Sequence, residues 1–394
     1  MRLFLQDCGV ICNLGRGKVA VAQALFAGRA DALRSDNSLI PGRTILVGAV
    51  DGALASPPEE AAALDCRNNR LMLAALLEIA PAVAASVSRY GRDRIAVVMG
   101  SSTSGIADGE TALTAYRREG HWPLSYHYRQ QEPGTLAEFS ARVLGLGGPS
   151  YTVATACSSS AKVFASARRL IRADLADAVV VGGADTLCRM TLNGFGALEA
   201  LSKSRCNPFS ANRDGITIGE GAAAFLLTAE PGVVELLGVG ETSDAHHTTA
   251  PDPQGAGARG AMVMALTDAG LKSAEIAYVN LHGTATPLND AMESRAMSAV
   301  FPASTPCGST KGMTGHMLGA TGGVETAFLW LSLNPATNPG LLPPHLWDGI
   351  FDPALPRLNL VGAGTPLIAG NRLAMLSNSF GFGGSNVSLV LGRA

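Results

Sequence analysis

The chain has 394 residues, with 30 basic against 32 acidic side chains and a formal charge of −2. It is 47% hydrophobic and only 16% charged, with 46 glycines, which excludes a disordered chain and a small disulfide-stapled module. Near-neutral charge leaves no electrostatic footprint for nucleic acid, although a local basic patch for a negatively charged carrier is compatible with it.

No uninterrupted apolar run approaches the roughly 20 residues that cross a bilayer, so no membrane span is expected. The first 25 residues include Asp7, Arg16 and Lys18 and lack a signal-peptide pattern. Cysteines at 8, 12, 66, 157, 188, 206 and 307 form no CxxC pair and no zinc-like series. A reducing, cytoplasmic location is the expectation.

In chain order, FLQDCGVICNLG and TILVGAV (44–50) read as strands punctuated by turns. Residues 67–90, rich in Leu and Ala, read as a helix. RIAVVMG (94–100) reads as a buried strand, and SSTSGIADG after it as a loop. YTVATACSSS (151–160) passes from β-favouring to small polar residues, and a helix follows through residue 175. ADAVVVGGAD (176–185) is another buried strand. The same style recurs with EIAYVNLHGTATP, a helical stretch from Asp290, and the helix-like MLGATGGVETAFLWLSL. RLAMLSNSFGFGGSNVSLVLG closes the chain as two strands around a glycine turn. This is α/β organisation. A soft boundary near 231–241 gives halves 1–235 and 236–394, which share no short-period repeat. Residues 331–357, rich in Pro and Asn, are expected to form a surface excursion.

Cys157 stands out. At a helix N-terminus, unpaired N–H groups and the helix field stabilise a thiolate near neutral pH. A small buried cysteine in a core turn fits the same spacing. The other six cysteines have no comparable context and read as core thiols. His282 follows a predicted strand beside Gly283, Thr284 and Thr286. His316 lies five residues after Lys311 in a Gly/Thr-rich turn. Either histidine alone fits a structural role.

The second histidine changes the chemistry that fits. Hydrolysis needs one oriented imidazole, whereas a decarboxylating carbon–carbon condensation creates an enolate that two neutral imidazole N–H donors stabilise. Acyl attachment to the cysteine divides that condensation into two steps. Lys311 can hold charge near this group, and Glu325, nine residues past His316, can orient it. Glu293 can serve similarly. An exposed lysine and solvated helix faces are the competing accounts. Gly381, Gly383 and Gly384 permit a sharp turn close to a ligand, with backbone N–H groups for an oxyanion and Phe380 at a channel mouth. Neither GFGG nor GSTKGMTG has the spacing of a nucleotide-binding loop.

These segments, together, resemble the β-ketoacyl-acyl-carrier-protein synthase family, the decarboxylating Cys-His-His branch of the thiolase-like superfamily. The resemblance rests on TACSSS, NRDGITIGEGAA, DAHHTTAPDP, HGTATPLND, STKGMTGH and NSFGFGGSN, in family order over nearly the whole chain. It implies a five-layer α-β-α-β-α fold of two pseudo-symmetric halves. It implies that Cys157 carries the acyl group and that His282 and His316 assist malonyl decarboxylation. Lys311 and Glu325 would organise His316, with Glu293 joining that supporting network. The backbone N–H groups of Cys157 and Phe380 would form the oxyanion hole, with Phe380 also the gate. Thr284 and Thr286 would line the pantetheine passage, and Gly105, Ile106 and Phe195 the acyl chain. Arg205 and Arg213 are candidate basic contacts. The implied partners are an acyl carrier protein, bringing substrates on its phosphopantetheine arm, and a second identical or related ketosynthase-like subunit. No tightly bound cofactor and no metal are implied.

Two departures bear on the pathway. TACSSS is closer to the polyketide form than to the primary fatty-acid form. LPPHLWDGIFDP (342–353) resembles the tail of small synthases of aryl polyene pathways. Specialised polyene or polyketide elongation and fatty-acid elongation are both expected roles. The alternative is an inactive carrier-binding or chain-length-determining subunit, against which Cys157, His282 and His316 all argue.

Overall fold

The structure, a computed structural model, describes residues 1–368 and 373–394. Its main sheet contains one strand pattern twice. The first set runs Phe4–Cys12, Ile95–Gly100, Ser150–Val153, Ala178–Asp185 and Gly221–Thr228. The second runs Val234–Ser243, Ile276–Asn280, Pro306–Gly308, Ala374–Phe380 and Ser385–Arg393. Counted in chain order within each set, both have the spatial order 3-2-4-5-1. In both, strand 2 is parallel to 3 and 4, and strand 5 is antiparallel to 4 and 1. The sets join where Phe4 and Leu5 pair with Glu235 and Val234. The division expected at 235/236 therefore falls inside strand Val234–Ser243.

Helices complete five layers. Arg67–Tyr90 covers the outer face of the first set, and Ala256–Ala269 with Pro287–Val300 that of the second. Between the two sets lie Ser159–Arg172 and Thr321–Leu333, packed on each other. Every residue of Thr321–Leu333 is buried, the mark of a central core helix. The outer helices approach by one device used twice. A Cβ on Gly9 would sit 2.0 Å from Ala75 O, and one on Gly240 would sit 1.9 Å from Ala261 O. Only glycine lets the helix backbone lie that close to the strand.

Two expectations need correction. Helix Arg67–Tyr90 is long and apolar enough by length and composition to cross a bilayer, but Arg70 and Glu78 interrupt its apolar run. Here it is a core-facing helix: Leu71, Ala75, Ile79 and Val83 are buried, and its Glu78 accepts from the N–H groups of Val10 and Lys18. The nucleophile helix stops at Arg172 rather than 175. Residues 331–357 are not wholly a surface excursion. Leu331–Leu333 finish the central helix, and residues 342–345 are buried. His345 accepts from Ser309 N–H at 3.0 Å and its other ring nitrogen meets Pro208 O at 3.1 Å, so this segment clamps two loops.

Candidate active site

Strand Ser150–Val153 runs into a turn where Ala156 takes φ +51°, and the central helix begins at Ser159. A non-glycine residue at positive φ costs about 1–3 kcal/mol and persists only when its surroundings over-determine it. Here the serines do so. Ser159 Oγ accepts from Thr155 N–H at 2.9 Å and donates to Ala156 O at 2.6 Å, while Ser158 Oγ donates to Thr155 O at 2.8 Å. The strained turn delivers Cys157 into a cavity of about 280 Å³.

His316 Nε2 lies 3.1 Å from Cys157 Sγ, and its Nδ1 lies 2.9 Å from Thr321 Oγ1. Its backbone is held on strand-like partners, donating to Thr217 O at 2.7 Å and accepting from Gly219 N–H at 2.9 Å. The His282 ring stands edge-on to that of His316, with centroids 5.3 Å apart. One ligand-capable atom from each of Cys157, His282 and His316 lies within 4.8 Å of the other two. Glu293 accepts from the N–H groups of His282 and Gly283 at 2.8 and 2.7 Å, fixing that loop from behind.

Lys311 and Glu325 are both fully buried, and Lys311 Nζ donates to Glu325 Oε1 at 2.6 Å. Burial first, and then the Lys311 charge, hold both histidines well below the ordinary imidazole range. Both rings are neutral at physiological pH. Burial also raises the Glu293 carboxyl to about 7, against the two N–H donors it accepts.

The thiol departs from expectation. Burial pushes Cys157 up to about 11, opposed by the Phe382 N–H and Lys311. Desolvation outweighs the helix N-terminus, so the resting group is a thiol beside a neutral base rather than a free thiolate. Its iodoacetamide alkylation rate is expected to climb about tenfold per pH unit above neutrality, levelling only near pH 11. A plateau already reached at neutral pH would contradict this.

The glycine-rich turn also differs from expectation by two residues. Phe380 ends its strand, buried, with its ring edge-on to His282. The backbone N–H that reaches Cys157 belongs to Phe382. The Phe382 ring is partly exposed at the cavity wall, 5.7 Å from that of Phe195. Gly383 turns at φ +78°, which releases Phe382 from the strand direction. The second aromatic of FGFGG was the available signal.

Thr284, Thr286 and Phe195 line the cavity, and the two threonine hydroxyls lie 3.0 Å apart. Gly105 and Ile106 do not line it; Gly105 is packed on Gln130 O, where a Cβ would sit at 2.2 Å. Arg213 is occupied by Asp352 at 2.6 Å and Ser210 O at 2.8 Å. Among the described residues Arg205 forms no ion pair. Thr321, Thr217 and Phe382 were missed as contributors.

One sulfur and two ring nitrogens also suit a thiophilic cation, since zinc favours such tetrahedral S/N sets. Added Zn²⁺ is expected to block Cys157 alkylation, and a chelator to restore it. Unchanged alkylation in excess Zn²⁺ would show that the three atoms cannot converge on an ion.

A buried thiol between two neutral imidazoles, set in a twice-built sheet, defines a thioester-handling enzyme of the thiolase-like class. The Beta-ketoacyl synthase N-terminal domain model matches residues 47–231, and the C-terminal domain model matches 233–345. The chain belongs to the β-ketoacyl synthase family. It is 37% identical over 270 residues to a mitochondrial 3-oxoacyl-[acyl-carrier-protein] synthase of Arabidopsis thaliana, covering 62% of this chain and 57% of that protein. It is 33% identical to 3-oxoacyl-[acyl-carrier-protein] synthase 2 of Staphylococcus aureus, covering 76% of this chain and 77% of that one. A chain in the solved complex of the ketosynthase ApeO with its chain length factor ApeC, from Xenorhabdus doucetiae, superposes with TM-score 0.95. Its identity is 45%, covering 100% of this chain and 98% of that one.

Proposed function

We propose that this chain condenses an acyl thioester with a malonyl thioester, releasing CO₂ and forming a β-ketoacyl product. The observation that carries this is the 3.1 Å approach of His316 Nε2 to Cys157 Sγ, with neutral His282 converging on both. Substrates arrive on the phosphopantetheine arm of an acyl carrier protein. Cys157 Sγ attacks the acyl carbonyl as His316 Nε2 takes its proton. The tetrahedral oxyanion meets the N–H groups of Phe382 and Cys157, and the pantetheine thiol leaves with a proton.

A malonyl thioester then enters past Thr284 and Thr286. Its C–CO₂ bond breaks, CO₂ departs, and the electron pair forms an enolate whose oxygen receives the N–H of His282 and that of His316, the latter after its proton has moved to Nε2 and Nδ1 accepts from Thr321 Oγ1. The enolate carbon attacks the Cys157 thioester, the Cys157 thiolate leaves, and a proton from solvent restores the thiol. Phe382, against Phe195, is the side chain placed to gate the acyl channel. Burial, with Lys311 locked by Glu325, keeps both imidazoles uncharged. No bound cofactor or metal enters these steps.

The likeness to a chain of the ApeO–ApeC complex supports a related ketosynthase-like subunit as partner, while TACSSS and LPPHLWDGIFDP favour a specialised polyene or polyketide role over bulk fatty-acid elongation. The assignment of halves 1–235 and 236–394 gives the nucleophile to one and the histidines and glycine-rich loop to the other. Seven free, buried cysteines support a reducing cytoplasm. The test is intact-mass detection of acyl transfer from saturated, polyunsaturated and aryl-conjugated acyl carriers, then malonyl carrier addition. The protein is supplied alone and with a chain-length-type partner. An extended, decarboxylated β-keto product establishes the reaction, and the preferred chain selects the pathway. Carrier binding without acylation would make it an inactive subunit.

A further inference from the structure

Asp185 ends strand Ala178–Asp185, fully buried, with six donors and no ion pair among the described residues. Oδ1 accepts from Ser101 Oγ, Ser102 N–H and Thr103 N–H at 2.8 Å each, and from Thr103 Oγ1 at 2.9 Å. Oδ2 faces the other way. It accepts from Ser102 Oγ at 2.6 Å and from Ala320 N–H at 3.2 Å. Ser102 Oγ in turn accepts from Gly319 N–H at 3.1 Å. One carboxylate thus ties the turn after strand Ile95–Gly100 to the turn Leu318–Ala320.

That second turn is the link between His316 and Thr321. It contains Leu318 at φ +51°, a conformation an L side chain keeps only under external restraint. The His316 backbone is held independently by Thr217 and Gly219. The ring direction is set by the Thr321 hydroxyl on Nδ1, at the far end of the turn. A shift of the turn would carry Thr321 away and let the ring rotate off Cys157.

We propose that Asp185 is a positioning residue for condensation, holding the 318–320 turn and, through Thr321, the direction of the His316 imidazole. The inference rests on the condensing activity proposed above. A buried carboxylate fits this task because a single group can hold N–H donors from two segments at once.

Two variants separate positioning from bulk stability. In Asp185→Asn the amide oxygen can keep the Oδ1 donors while the NH₂ faces the Ala320 N–H, so the turn is released and the 101–103 loop is kept. Ser102→Ala removes the bridge to Gly319 and leaves the charge. For Asp185→Asn, acyl loading and kcat with malonyl carrier are both expected to fall about 10- to 100-fold, because His316 serves both steps, with KM within about twofold. Ser102→Ala should show the same split at severalfold.

The alkylation profile is the readout that simple destabilisation would not move in a fixed direction. Cys157 is faced by His316, His282, Lys311 and Asp185, with Glu325 on Lys311 and Glu293 behind His282. The Asp185 charge opposes the thiolate, so Asp185→Asn lowers the alkylation midpoint and Ser102→Ala leaves it. Wild-type kcat in both variants overturns the proposal. So does a loss of acyl loading and kcat that only follows the fraction of unfolded protein. If the wild type itself loads but does not condense, the functional reading falls instead. A crystal structure of Asp185→Asn then decides this one: a lost Thr321–His316 contact supports it, and an unmoved turn overturns it.

Discussion

Cys157→Ala is expected to abolish condensation, by at least about 10⁴-fold, while malonyl decarboxylation stays measurable. The substitution removes a single buried sulfur and leaves His282 and His316 neutral behind their own backbone anchors. A change of this size at one small side chain costs about 1 kcal/mol of stability, too little to unfold the chain. CO₂ release and β-keto product are followed together, the latter by intact mass of the carrier. Uncoupled CO₂ with no acyl-enzyme is the predicted pair. Product above a few per cent of wild type would remove Cys157 from the nucleophile's role, and loss of both signals would show that decarboxylation also needs the thiol.

The Lys311–Glu325 pair gives the second large effect. Removing one partner of a buried pair leaves an uncompensated charge, and Lys311→Met is expected to cost about 3–5 kcal/mol in denaturant unfolding. The double variant Lys311→Met/Glu325→Gln, with no buried charge at this pair, should recover most of that stability. It should not recover the chemistry. Burial is the larger cause of the depressed imidazoles and Lys311 the second, so without Lys311 their pKa values rise part of the way toward the ordinary range. The groups must be neutral to act, so the acid limb of the pH–rate profile moves to higher pH. A double variant with wild-type stability and an unshifted acid limb would reduce the pair to packing.

The convergence of Cys157, His282 and His316 was legible because its signals are local. A cysteine ahead of a helix, a histidine after a strand and a histidine in a glycine turn are each visible in a few residues. The Lys311–Glu325 pairing was also within reach, since both flank His316 in sequence. What escaped was set by distant packing. Burial of Cys157 comes from elements that no local window contains, so the helix N-terminus pointed to a thiolate and desolvation gave a thiol. The turn at Gly383 decides that Phe382 rather than Phe380 addresses the sulfur. Asp185 reads as the polar end of a buried strand until Ser102 and Ala320 are seen on either side of it. The doubled 3-2-4-5-1 order has no repeated motif to announce it, because topology needs only matching patterns of burial.

The separation of 159 residues between Cys157 and His316 has a consequence in time. A chain emerging at about 5–20 residues per second exposes the thiol roughly 8 to 30 s before its histidine has been synthesised. Over that interval Cys157 has neither His316 nor the Phe382 loop beside it, and the burial that raises its thiol to about 11 is complete only when the last segment docks.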